Sequence, residues 1–139
     1  MSDRVFIDTN VLAYLFDLSE PEKRARADEI LQRESQLSEL VVSTQVLQEL
    51  YVTLTRGKEP MAPPDIAQQA IEAAANYTVI QVDVGLVLAG ITISRNAQLS
   101  FWDGLIMASA ASAGCARILT EDLNRGQIIA GVQVENPFV

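Results

Sequence analysis

The sequence predicts an α/β protein: a parallel sheet of four to five strands between two layers of helices, a three-layer α/β/α sandwich. Two observations carry that prediction. Short apolar runs alternate with longer segments whose apolar residues recur at helical spacing, the pattern of strands joined by crossover helices. The clearest of those runs, Val5-Phe6-Ile7 and Leu40-Val41-Val42, show no polar alternation, as expected of strands covered on both faces. A third observation bears on domain count. At 139 residues and 49% hydrophobic, the chain has the content of one core, so residues 1–139 are expected to form a single domain.

Taken in order, residues 5–7 form the first strand, and Asp8-Thr9-Asn10 supplies the groups that end a strand and start a helix. Val11, Leu12, Leu15 and Phe16 continue at helical spacing. Ser19-Glu20-Pro21-Glu22 reads as a capping box opening a charged helix over about 20–34, with Ala25, Ile30 and Leu31 as its sparse apolar side. Residues 40–43 are a second strand. Val46, Leu47, Leu50 and Leu54 form the next helix, which Gly57 ends. Residues 58–64, holding three prolines, read as a loop; a helix follows to about 75. Then come a strand at 78–82, helices at 84–95 and 100–113, and a strand at 117–120. Residues 132–134 are a candidate fifth strand at an edge. The longest apolar run, 84–93, falls short of the ~18 residues a membrane span needs. The opening Met1-Ser2-Asp3-Arg4 leads into a run that Asp8 breaks at once, which is not the pattern of a signal peptide.

The absences narrow the chemistry. There is no histidine, which excludes Ser-His-Asp and Cys-His nucleophilic machinery and His-liganded zinc. The one cysteine, Cys115, precludes an internal disulfide, reads as a buried inert thiol and fits a reducing cytoplasm. No phosphate-binding glycine loop is present, since Gly57-Lys58 is followed by Glu59. Carboxylates, hydroxyls, amides and arginines remain.

On the expected skeleton, Asp8 ends the first strand. Glu49 lies ~7.5 Å along the helix after the second. Asp103 is in the first turn of a helix that precedes the last central strand, and Asp122 follows that strand by two residues. All four belong to the carboxyl edge of the sheet, where open α/β sheets bind ligands. Each has a bland reading as a cap or a surface acid. Gathered together they repel unless a cation is present, which raises some of their pKa values. An all-oxygen donor set without His or Cys favours Mg²⁺ or Mn²⁺. Such ions activate water and stabilise charge on a phosphoryl group, so phosphodiester hydrolysis is the expected reaction.

These residues resemble the PIN-domain nuclease family. Phe6-Ile7-Asp8-Thr9-Asn10, Glu49 in a helix, Phe101-Trp102-Asp103 continuing to Ala110, and Leu119-Thr120-Glu121-Asp122 are similar to its four motifs. The tail Asn124-Arg125-Gly126-Gln127 through Asn136-Pro137-Phe138 resembles the VapC-type toxins of bacterial toxin–antitoxin pairs. The resemblance implies a Mg²⁺- or Mn²⁺-dependent ribonuclease whose metal is held by Asp8, Glu49, Asp103 and Asp122, with Asn10 and Thr120 hydrogen-bonding around it. It also implies a homodimer and a small antitoxin partner. Ile66, Ala67, Ala70, Ile71 and Ala74 make an apolar stripe that would serve either an interface or the core.

Net charge sits oddly with RNA, at −8 with only two lysines. Arg56, Lys58, Arg95 and Arg125 are the candidate phosphate contacts, Arg56 and Lys58 first among them. Trp102 could stack a base, although packing is the favoured reading for the only tryptophan. Two other classes fit the sequence less well. A Mg²⁺-binding phosphoacceptor domain needs a lysine near the last strands, and none follows Lys58. A silent, nuclease-like binding module has no reason to keep all four acids.

Overall fold

The computed structural model describes residues 3–139; the first two residues of the N-terminal stretch read above lie outside them. The first strand, β1 (Asp3–Ile7), is followed by α1 (Thr9–Ala13) and a 3₁₀ turn (Tyr14–Phe16). Then come α2 (Pro21–Leu37), β2 (Ser38–Ser43), α3 (Thr44–Thr55), α4 (Pro64–Ala74) and β3 (Thr78–Ile80). The second half runs α5 (Val84–Ala97), α6 (Phe101–Ser112), β4 (Arg117–Leu119), β5 (Ile128–Ile129) and β6 (Val132–Glu135).

The strands form one sheet in the order β3-β2-β1-β4-β6-β5. Every pairing is parallel except β5 with β6. The sheet therefore has six strands, where four to five were expected, and it is mixed. Two residues of β5 are too few to show periodicity, and β6, the expected edge strand, lies inside β5. The chain moves outward from β1 to β2 to β3, then crosses back to β4 on the other side of β1. Right-handed crossovers in opposite directions put their helices on opposite faces, α2, α3 and α4 on one and α5 and α6 on the other. The order reverses between β1 and β4, which creates a crevice at the carboxyl ends of these two strands.

The core explains the apolar runs. Val5, Phe6, Ile7, Val41, Val42, Ile118 and Leu119 are at most 1% exposed, with helices on both sides. Most of the α4 stripe belongs to this core: Ala67 and Ala74 are buried and Ala70 and Ile71 pack against it, while Ile66 is exposed. On α5, by contrast, Val84, Leu88 and Ile91 are exposed. Helices α5 and α6 cross closely, because a Cβ on Gly104 would come within 2.5 Å of the Gly90 carbonyl oxygen.

Two local expectations fail. The capping box at Ser19 does not form, since the Ser19 hydroxyl turns back to Asp17 Oδ1 at 2.5 Å and Pro21 opens α2 without a side-chain cap. In α2 the apolar side uses Ala27 in place of Ala25, and it includes buried Glu34. Glu34 is accommodated by Arg117, whose Nη2 donates to it at 2.8 Å while Nη1 donates to Glu135. Cys115 is buried as expected, and burial pushes its thiol up to about 11. No helix among the described residues is long and apolar enough to cross a membrane.

Candidate functional site

Asp8 is the N-cap of α1: its Oδ1 accepts from the Thr9 backbone N–H at 2.7 Å. Its other oxygen, Oδ2, accepts from the Thr120 hydroxyl at 2.7 Å, so both oxygens are held and neither fixes itself on solvent. Asp8 is thus both a cap and a wall of the crevice, and the two readings set against each other are compatible. It is 6% exposed, and its carboxyl is pushed up to about 7. Burial is the largest cause; the charges of Asp122 and Glu49 add to it, while the Thr120 and Thr9 hydrogen bonds oppose it.

Around it the other residues are tied in pairs. The Asn10 amide donates to Asp122 Oδ2 at 2.9 Å and more weakly to the Thr120 hydroxyl oxygen at 3.4 Å. That hydroxyl oxygen also accepts from the Asp122 backbone N–H, so Thr120 holds the Asp122 turn against Asp8. The Thr9 hydroxyl donates to Glu49 Oε1 at 3.0 Å. Gln45, one turn before Glu49, donates to Glu49 Oε2 at 3.4 Å and to the Trp102 carbonyl at 3.2 Å, joining α3 to the start of α6. Ser100 caps α6 by accepting from the Asp103 N–H. The Asp103 carboxyl is raised by its partial burial, with the Asp122 charge adding to the effect. Glu121 faces away from Asp122: Tyr14 donates to it, and Lys23 donates to both.

One cleft of about 580 Å³ receives all of this. Asp8, Glu49, Asp103 and Asp122 line it together with Asn10, Gln45 and Arg56. Trp102 also lines it and is 61% exposed, so the expectation that it packs inside is overturned. Lys58 stands in the exposed loop beyond α3 and does not line the cleft; nor do Arg95 and Arg125. Thr9 and Gln45 were missed by sequence reasoning. Gln45 lies with Gln48 and Glu49 on the polar face of α3, and nothing along the chain singles it out from Gln48.

The four acids share the cleft without closing on a common point. Among the described residues no three acidic, Cys or His side chains stand in a group able to hold a metal ion. Asp8, Glu49 and Asp122 are instead drawn to the donors of Thr9, Thr120, Asn10 and Gln45. Two further acceptors, Asn10 Oδ1 and Gln45 Oε1, are buried without any hydrogen-bond partner. Their amide nitrogens are committed elsewhere, so neither amide can flip without losing its donors' partners. Mutually repelling carboxylates beside orphaned amide oxygens suit a hard cation with its water.

The sequence profile of the PIN domain family matches residues 5–127. No curated protein matches the chain significantly. Among solved structures, a toxin–antitoxin complex from Klebsiella pneumoniae superposes with a TM-score of 0.69 at 20% identity, covering 92% of this chain and 94% of that one. DNA-bound VapBC from Salmonella typhimurium gives 0.69 at 17% identity, covering 99% of each chain. VapC20 of Mycobacterium tuberculosis, a toxin that cleaves the sarcin–ricin loop, gives 0.63 at 19%, covering 82% and 86%.

Proposed function

The chain belongs to the PIN domain family, and from that premise we propose that residues 1–139 are a single metal-dependent endoribonuclease domain, the toxin of a type II toxin–antitoxin pair. The observation that carries this reading is the cleft: four carboxylates from four separate elements line it at the point where the strand order reverses. Asp8, Glu49, Asp103 and Asp122 would hold Mg²⁺ or Mn²⁺. Bound there, the ion would lower the pKa of water and offset charge on a phosphoryl group.

The chain's own residues do the rest. Thr120 and the Thr9 N–H orient the Asp8 carboxylate, Asn10 orients Asp122, and Thr9 with Gln45 orients Glu49. Burial pushes the Asp8 carboxyl up to about 7, and a cation held there would favour its ionised form. Arg56 on the cleft wall donates to phosphate, and the exposed Trp102 ring offers a face on which a base stacks. A phosphoacceptor site would need a lysine beside the acids, and no lysine lines the cleft.

A small antitoxin and a homodimer in the cytoplasm belong to the same reading. The antitoxin is supported by the neighbouring VapBC structures, and the dimer would use the exposed apolar side chains of α5. The test is incubation of purified protein with structured RNAs in Mg²⁺, in Mn²⁺ and in chelator. Cleavage is expected only with metal, and it is lost in Asp8→Asn and Asp103→Asn while both stay folded. Wild-type cleavage by either variant overturns the assignment.

A further inference from the structure

Beyond the acidic cleft, a second concavity of about 310 Å³ opens between α2 and strands β4 and β6. Arg26 and Arg33 reach it from α2, with Ile30 as floor, and Arg125 reaches it from the loop after Asp122. Arg26 and Arg33 are seven residues apart, two turns along one helix face. Arg26 is anchored, donating to the Pro137 carbonyl at 2.8 Å and to Glu29 at 3.0 Å. Arg33 and Arg125 make no ion pair or side-chain hydrogen bond among the described residues. The one carboxylate on the wall, Glu135, is taken by Arg117 at 3.1 Å. The pocket thus offers guanidinium donors with no free acid, the opposite of the cleft beside it.

We propose that this arginine pocket is a second phosphate-binding site, which holds the RNA strand on the side of Asp122 away from the cleft. The proposal rests on the ribonuclease reading. A polyanion approaching a chain of net charge −8 with four acids at its reaction site needs cations that are not already neutralised. Arg56 supplies one at the cleft. Arg125 is three residues from Asp122, so its Cα lies within ~11 Å of it along the chain. A strand lying over the 121–125 segment would therefore pass from the cleft to Arg125 and on to Arg33. An acidic peptide offers the same charge, but adjacency to the acid cleft favours the strand that the cleft would cut.

The test uses a labelled single-stranded RNA of ~12 nucleotides, titrated in chelator so that nothing is cleaved. Wild type is compared with Arg33→Gln/Arg125→Gln and with Gln68→Glu/Gln69→Glu, which makes the same change in net charge on exposed α4. The expected result is a loss of affinity of tenfold or more in the arginine variant only. Its salt slope should also fall by ~1.4, two contacts at ~0.7 each. In metal, the arginine variant should show a raised KM for this RNA and unchanged cleavage of a dinucleotide, which is too short to span both sites. If the arginine variant binds like the charge control, or if polyglutamate competes as well as RNA, the proposal falls. If arginine-dependent binding is found but no RNA is ever cut, the pocket stands and the nuclease reading fails.

Discussion

Asp8→Asn should stabilise the metal-free protein, and the gain should grow with pH. Folding carries the Asp8 carboxyl from an ordinary 3.8 to about 7, so the folded state binds the proton more tightly than the unfolded chain. Stability from this group is therefore complete below pH ~4 and is lost progressively as pH rises to ~7, by about 4 kcal/mol at ~1.36 kcal/mol per unit. Of this, about 2–3 kcal/mol is lost between pH 5 and 8. Asparagine removes the titration while keeping the contacts. Its oxygen can still accept from the Thr9 N–H, and its amide can donate to the Thr120 oxygen, at the cost of turning the Thr120 hydroxyl away. That cost lowers the absolute gain but not its pH dependence. Denaturant unfolding in chelator at pH 5, 6, 7 and 8 should show the variant gaining about 2–3 kcal/mol on wild type across the series. Saturating Mn²⁺ at pH 8 should raise wild type by mass action and shift the variant far less. A difference independent of pH would refute the reasoning, since it would mean that Asp8 stays ionised in the fold.

Other perturbations probe the supports. Thr120→Val should destabilise by about 1–3 kcal/mol, since it removes a buried donor to Asp8, and should weaken Mn²⁺ binding about 10–100-fold by calorimetry. Gly104→Ala should cost about 1–3 kcal/mol or more, because the added methyl meets the Gly90 carbonyl, and should depress activity through its neighbour Asp103; melting and cleavage assays read the two. Glu34→Gln should cost about 2–3 kcal/mol by leaving Arg117 with Glu135 alone, without changing metal affinity.

Much of the fold was legible because its strands and helices carry the two simplest periodicities. Val5-Phe6-Ile7 and Leu40-Val41-Val42 could be read as buried strands because both faces are covered. The α/β alternation then placed Asp8, Asp103 and Asp122 at one edge of the sheet. What escaped was set by tertiary contact. β5 owes its existence to pairing with β6, and Pro21 at the start of α2 overrode the Ser19 cap. Lys58 looked equivalent to Arg56 along the chain, with Arg125 ranked behind them, but of the three only Arg56 lines the cleft. Repulsion among the acids was anticipated as the cause of raised pKa values; for Asp8, burial outweighs it. Gln45 was hidden because its importance lies in reaching the Trp102 carbonyl, a contact 57 residues away.

The segment after β4 has a consequence for how the chain can vary. Thr120 turns inward to Asp8, Glu121 outward to Tyr14 and Lys23, and Asp122 inward again to Asn10. Direction alternates with each residue, so position and facing are locked together. A single insertion or deletion between Leu119 and Asp122 would swing Glu121 toward the cleft and Asp122 toward Lys23, leaving one acid misplaced and one cation partnered wrongly. Substitutions such as Glu121→Gln keep every other residue facing as before. At Glu121, drift in identity should be tolerated; across the stretch, drift in length should not.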